Sequence, residues 1–254
     1  MNADKPVDSA QPPIPVQNYD RIAAEYYDPT RHPTCADFRD ATRLLLERFL
    51  AQYAPRPRSL ELGAGKSLVA ECFVAHHLPL STLTITDASA AMLAHSEIWR
   101  ERGAALAVAT IETLGDSEQP FDLVFACLGD PYNTPNLWQR MRQWLTPNGA
   151  YFYTTPSFDW ATRFRRHHQN GNDSLAEFVV EGEAVYVPSF VPSPAAQRAL
   201  IVGCGLTVDH IVHITRRELP NGVRSAKLSL PEIAADLPIV TGFWGGLQKE
   251  GSAR

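Results

Sequence analysis

From Ser59 to Thr155, short apolar segments alternate with segments of helical spacing, and few residues join them. That alternation limits the chain to a small set of folds. Ser59–Leu62, Thr82–Thr86, Ala105–Ala109, Phe121–Leu128 and Ala150–Thr155 read as strands. Phe121-Asp-Leu-Val-Phe-Ala-Cys-Leu128 is apolar almost throughout, as a strand covered on both faces must be. Leu68–His77 and Ser89–Arg102 read as helices, the second stopped by Gly103 as a C-terminal cap. Thr134 followed by Pro135 reads as an N-cap with proline at the first helical position; Leu137, Met141 and Trp144 or Leu145 then supply an apolar face. Strands joined by helices must run parallel, because a crossover returns the chain to the same edge. The pattern predicts an α/β fold with a doubly wound, mostly parallel sheet and helices on both faces.

The flanks read differently. Residues 1–16 carry Pro6, Pro12, Pro13 and Pro15 among polar residues, which predicts a disordered or extended leader. Residues 17–57 form an N-terminal helical cap. Tyr19–Tyr27 looks helical, and Thr34-Cys-Ala-Asp37 resembles a capping box with Asp in place of Glu. Phe38, Ala41, Leu45, Phe49 and Tyr53 then recur at helical spacing until Pro55 and Pro57. Residues 58–156 are the core. Residues 157–192 are polar and poorly periodic and read as an inserted lid, with a strand only at Ala184–Pro188. Residues 193–230 return to the core pattern, with a helix from Pro194 and a strand over Leu206–Thr215 at the end of the sheet. Residues 231–254 read as a C-terminal extension.

A chain of 254 residues can bury a full core without disulfides or metals. Its 23 Lys and Arg against 28 Asp and Glu leave a net charge of −5, which argues against broad binding to nucleic acid or anionic membranes. No apolar run approaches the length of a membrane span, and the N-terminus lacks a signal-peptide core. Cys35, Cys72, Cys127 and Cys204 are far apart and form no C-x-x-C pair, so they read as reduced thiols of a cytoplasmic protein. His210 and His213 fall on opposite faces of one strand, and no metal site is expected.

The most informative stretch is Leu60-Glu-Leu-Gly-Ala-Gly-Lys-Ser67, at a strand-to-helix joint, where open α/β sheets bind ligands. A P-loop would need glycine at 60, where Leu60 stands. A dinucleotide fingerprint would need it at 68, where Leu68 stands. A third pattern, an acidic residue followed by x-G-x-G-x-G, is matched by Glu61, Gly63 and Gly65, with Ser67 in the last place. Asp87 ends the second strand in Thr84-Ile-Thr-Asp-Ala-Ser-Ala-Ala-Met-Leu93. Phe121-Asp-Leu-Val124 and Leu145-Thr-Pro-Asn-Gly-Ala150 follow at the appropriate spacing. On these residues the chain resembles the class I S-adenosylmethionine (SAM)-dependent methyltransferases over roughly residues 19–156.

The resemblance implies a Rossmann-like, seven-stranded fold and SAM as cofactor. It places Gly63, Ala64 and Gly65 under the cofactor, with Glu61 accepting from its amino group. Asp87 would hold both ribose hydroxyls, and a helix N-cap is a second role open to it. Ala88 and Ile111 would enclose the adenine, with Thr110 or Glu112 near its amine. Cys127 and Leu128 would floor the methionine part, and Tyr19, Tyr26 and Tyr27 would lid it.

After the fourth strand, Leu128-Gly-Asp-Pro-Tyr-Asn133 is similar to the D/N-P-P-Y motif of amino-group methyltransferases. Asp130 and Tyr132 are therefore candidate catalytic residues, with a tight turn into the next helix as the plainer alternative. Arg163, Arg165 and Arg166 with His167 and His168 form a basic cluster that reads either as a solvated helix face or as a site for a substrate carboxylate or phosphate. His167 is a candidate general base. The expected activity is methyl transfer to oxygen or nitrogen of a small-molecule acceptor. Alternatives are a nucleobase or protein amine methyltransferase using Asp130-Pro131-Tyr132, or a non-catalytic SAM-binding subunit. A homodimer is compatible with either.

Overall fold

The computed structural model describes residues 16–52, 58–115, 119–167, 174–231 and 233–248. The expected leader lies almost wholly outside them. In chain order the elements are α1 (Val16–Ile22), α2 (Pro33–Leu50), β1 (Ser59–Glu61), α3 (Leu68–Ala75), β2 (Leu83–Asp87), α4 (Ala90–Leu93), α5 (Glu97–Glu101), β3 (Ala105–Val108) and β4 (Phe121–Ala126). There follow α6 (Pro135–Trp144), β5 (Leu145–Pro156), α7 (Phe158–Phe164), β6 (Arg166–His167), β7 (Ser174–Val180), β8 (Glu183–Pro188), α8 (Pro194–Gly203), β9 (His210–Thr215) and β10 (Pro238–Gly246).

Seven strands make one sheet in the order β3-β2-β1-β4-β5-β10-β9. The first five are parallel, and β10 runs antiparallel to both β5 and β9. Strand alternation splits the core into two layers. Leu123 and Phe125 of β4, Phe152 of β5 and Trp244 of β10 face one layer, covered by α2 and α3. Val124 and Ala126, Tyr151 and Tyr153, and Phe243 face the other, covered by α6 and α8. The central strands β1, β4 and β5 are buried on both sides, which is why β4 reads as a nearly continuous apolar run rather than an alternating one. The four cysteines are free. Among the described residues no helix is long and apolar enough to cross a membrane.

Several expectations need correction. Residues 238–246 belong to the sheet, not to an extension: β10 inserts between β5 and β9. Its Pro-Ile-Val-Thr-Gly-Phe-Trp-Gly-Gly run carries three glycines and no clear period, so local pattern does not reveal it. One glycine has a packing reason, since a Cβ on Gly242 would lie 3.1 Å from Leu45 of α2. Helix α2 is accordingly a core helix lying on the sheet, with Phe38, Leu45, Leu46 and Phe49 buried, rather than only a cap.

The Thr34–Asp37 capping box does not form, because tertiary contacts claim both side chains. Thr34 Oγ1 lies 2.6 Å from Ser225 Oγ. Asp37 accepts from the backbone N–H of Arg224 and Ser225. The helix expected over Ser89–Arg102 is interrupted by a tight turn at Ala94–Ser96. There Ser96 Oγ accepts from Ser67 N–H and donates to Gly65 C=O. Within the polar 157–192 region, the described residues form α7 and a second, antiparallel sheet, β6-β7-β8. Ile22, Tyr19 and Tyr26 pack against Phe178, Val185 and Val187 of that sheet, and Asn18 Nδ2 donates to Tyr186 C=O at 2.7 Å.

Candidate active site

The loop between β1 and α3 is shaped for close approach. Gly63 and Gly65 take left-handed backbone, with φ of +56° and +48°, which glycine enters without steric cost. A Cβ on Gly63 would lie 2.6 Å from the Tyr132 ring, and one on Gly65 would overlap the Tyr27 hydroxyl. Both tyrosines are anchored to the loop. Lys66 N–H donates to Tyr27 Oη at 2.8 Å, and Tyr132 Oη donates to Leu62 C=O at 2.8 Å.

Glu61 is buried beneath this loop. Ser67 Oγ donates to its Oε2, and Val69 N–H donates to Oε1 at 3.4 Å. Burial pushes the Glu61 carboxyl up to about 7, against the pull of those two hydrogen bonds. Ser67 Oγ also accepts from Ala70 N–H at 2.9 Å and so N-caps α3. Serine therefore has a reason to stand where the family motif has its third glycine: the helix begins there and needs a side-chain cap.

Asp87 closes β2. Its Oδ2 accepts from Gly65 N–H at 2.8 Å and its Oδ1 from Ser89 N–H at 2.9 Å. Burial raises its carboxyl above the ordinary carboxylate range, opposed by these backbone donors. The N-cap of α4 is Ser89 rather than Asp87. Ser89 Oγ donates to Asp20 of α1 at 2.5 Å, which ties the first helix across the site.

A cavity of about 1570 Å³ opens at the C-terminal ends of β1 to β4. Its wall includes Glu61, Gly63, Ala64, Asp87, Ala88, Thr110, Ile111, Glu112, Cys127, Leu128, Tyr19 and Tyr27, together with Tyr132. Gly65 is the one expected cofactor residue not on the wall; its amide serves Asp87 instead. Met92, Arg39 and Lys66 also line it and went unnoticed in the sequence. Arg39 Nη1 donates to Lys66 C=O at 2.7 Å, and its guanidinium lies over the Tyr27 ring at 5.5 Å. It sits on α2 two residues from the buried Asp37, so helical spacing could have shown that it leaves the apolar face, but not what it meets.

A second cavity of about 340 Å³ adjoins the first. Tyr19, Tyr26, Cys35, Leu128 and Pro131 line both. Leu128 has φ of +52°, a left-handed backbone that costs a branched side chain of order 1–3 kcal/mol and is typical of functional turns. Its N–H donates to Thr154 Oγ1 at 2.8 Å. The sequence places Asp130 and Tyr132 together; the structure puts them in different cavities. Tyr132 lies over the glycine loop, while Asp130 lines the second cavity and accepts from Ser189 Oγ at 2.5 Å. Arg165 Nε donates to the same Ser189 hydroxyl at 2.8 Å. Burial pushes the Asp130 carboxyl up, against the pull of Arg165 and Ser189. His167 is on β6, but its side chain lies outside the described residues, as does all of His168. Among the described residues no group of three or more potential ligands is placed to hold a metal ion.

No family model and no curated protein matches the chain. Solved structures do. The CcbJ methyltransferase from Streptomyces caelestis superposes with a TM-score of 0.63 over 91% of this chain and 98% of its own, at 16% identity. An S-adenosylmethionine-dependent methyltransferase from Clostridium acetobutylicum gives 0.59 over 92% and 97%, at 13% identity. The 1,6-didemethyltoxoflavin-N1-methyltransferase of Burkholderia thailandensis, solved with its substrate and S-adenosylhomocysteine, gives 0.55 over 92% and 88%, at 16% identity. The chain thus has the class I SAM-dependent methyltransferase fold, as the glycine loop and strand pattern led us to expect.

Proposed function

We propose that this chain transfers a methyl group from SAM to an oxygen or nitrogen of a small molecule. One observation carries the reading: Asp87 at the end of β2 reaches across to the glycine loop, so a carboxylate and a Cβ-free backbone border one deep cavity. A ligand with ribose hydroxyls and a zwitterionic tail fits that donor set. The Asp87 carboxylate would hold the ribose. Ala88, Ile111 and Met92 offer apolar surface for adenine, with Thr110 and Glu112 at its polar edge. The Gly63 backbone would meet the amino acid part, and Arg39 and Lys66 stand beside the loop where its carboxylate would lie.

When bound, SAM supplies a methyl group on a cationic sulfur; an acceptor lone pair takes the carbon, and the C–S electron pair stays on sulfur. The protein's share is alignment and exclusion of water. Tyr19, Tyr26 and Leu128, common to both cavities, stand between cofactor and acceptor. The Asp20–Ser89 and Tyr27–Lys66 contacts hold the N-terminal segment over the site. The free cysteines are compatible with a cytoplasmic setting.

The test is calorimetric titration of the purified protein with SAM, S-adenosylhomocysteine, NAD and ATP. Binding of the first two alone, followed by transfer of labelled methyl to an acceptor, is the expected result. Binding of NAD or ATP in their place would overturn the assignment.

A further inference from the structure

The second cavity has an uneven chemistry. Its apolar walls are rings: Phe38 and Trp160 meet edge-to-face at 4.7 Å, and Tyr26 and Phe178 lie 5.6 Å apart. At about 340 Å³ it falls at the low end of small-molecule sites, roughly 300–1,000 Å³, with room for one or two fused rings. Its polar wall includes two cations with donors to spare. Arg165 lies over the Trp160 ring at 4.8 Å and spends only its Nε on Ser189. Lys227 lines the cavity and forms no ion pair among the described residues. Arg165 and Lys227 both line this one cavity.

The acidic groups on this wall are Asp130 and Glu177. Asp130 is taken up by Ser189, and Glu177 has an interaction of its own. Two cations on one aromatic slot are a mismatch for a neutral hydrocarbon ligand. They suit a flat ring bearing an anion, which stacks between the aromatic walls and satisfies the donors.

We infer that the second cavity is the acceptor chamber and that it selects an aromatic carboxylate of one or two rings. The carboxylate lies toward Arg165 and Lys227, and the methyl-accepting atom faces Leu128 and Pro131, which line both cavities. This rests on the methyltransferase reading for what the chamber is used for, but the recognition itself can be measured without any cofactor.

The experiment is equilibrium binding to the full-length protein, by calorimetry, of hydroxybenzoate, aminobenzoate and hydroxynaphthoate, each beside its own carboxamide. Acid and amide have nearly the same shape and differ in charge. At least one acid is expected to bind about tenfold or more tightly than its amide. Lys227→Glu, an exposed substitution, should reduce that preference to about twofold or less while S-adenosylhomocysteine affinity stays unchanged. The inference is overturned if no acid outbinds its amide, absence of any binding included, or if the preference survives Lys227→Glu. Failure of S-adenosylhomocysteine to bind would instead count against the methyltransferase reading and leave the acid–amide comparison standing.

Discussion

Replacing Asp87 with alanine probes the site at the point where the loop and the second strand meet. In the structure both carboxylate oxygens accept backbone protons, from Gly65 at 2.8 Å and Ser89 at 2.9 Å. Asp87 also lines the cavity. The proposed ribose contacts would be two further charge-assisted bonds, each worth about 1.5–3 kcal/mol. Loss of one predicts a drop in affinity of about tenfold, and loss of both about a hundredfold or more. Asp87→Asn should not rescue binding. Its NH2 group would have to face either the Gly65 or the Ser89 N–H, donor against donor, so the loop itself would be displaced. The assay is calorimetric titration of each variant with S-adenosylhomocysteine, with thermal melts run alongside to confirm folding. A folded Asp87→Ala protein whose affinity stays within a factor of about two of wild type would refute the ribose role and, with it, the observation that carries the proposed function.

The other predictions concern what holds the site in place. Glu61 keeps its proton to about pH 7 when folded but only to about 4.3 when unfolded, so the folded state binds the extra proton between those values and stability falls as pH rises through that window. Glu61→Gln should flatten that slope, by about 3 kcal/mol over the window, in denaturant titrations at pH 5 and pH 8; an unchanged slope would assign the pH dependence elsewhere. Gly65→Ala forces a side chain into left-handed backbone and onto the Tyr27 hydroxyl, and should cost more than about 1 kcal/mol. Part of that cost should vanish in a Tyr27→Phe background, and strict additivity in the double-mutant cycle would show that the hydroxyl is not the obstacle. Asp37→Ala removes a fully buried carboxylate that accepts from two backbone amides and from Arg224. It should lower the unfolding free energy by about 3 kcal/mol in urea, whereas a loss below about 1 kcal/mol would mean the 224–225 segment adds little.

Much of the wall of the first cavity was legible in the sequence because its residues sit at strand ends, and strand ends follow from local pattern. Gly63, Asp87, Thr110 and Cys127 each close or follow a strand, and all reach one cavity. Arg39 and Met92 were not legible: they lie within helices, where periodicity tells which face is polar but not what that face meets. The 157–192 region hid a three-stranded sheet because a small antiparallel sheet with one face on α1 needs few apolar residues per strand. Phe178, Val185 and Val187 look unremarkable until Ile22 and Tyr26 are packed against them.

The sequence by itself determined the parallel α/β order of the first five strands, the glycine loop and the acidic residue after the second strand. These depend on periodicity, on backbone conformations only glycine enters easily, and on neighbours a few residues apart. Only the tertiary structure decided the rest. It placed β10 antiparallel between β5 and β9, and the pairing with β5 spans roughly ninety residues that no local signal encodes. It turned Asp130 and Tyr132, two positions apart, into different cavities, because a short helical turn at residues 130–132 points their side chains apart. It also took Thr34 and Asp37 from an apparent helix cap to bind a segment nearly two hundred residues away, where burying the donors at Arg224 and Ser225 required an acceptor.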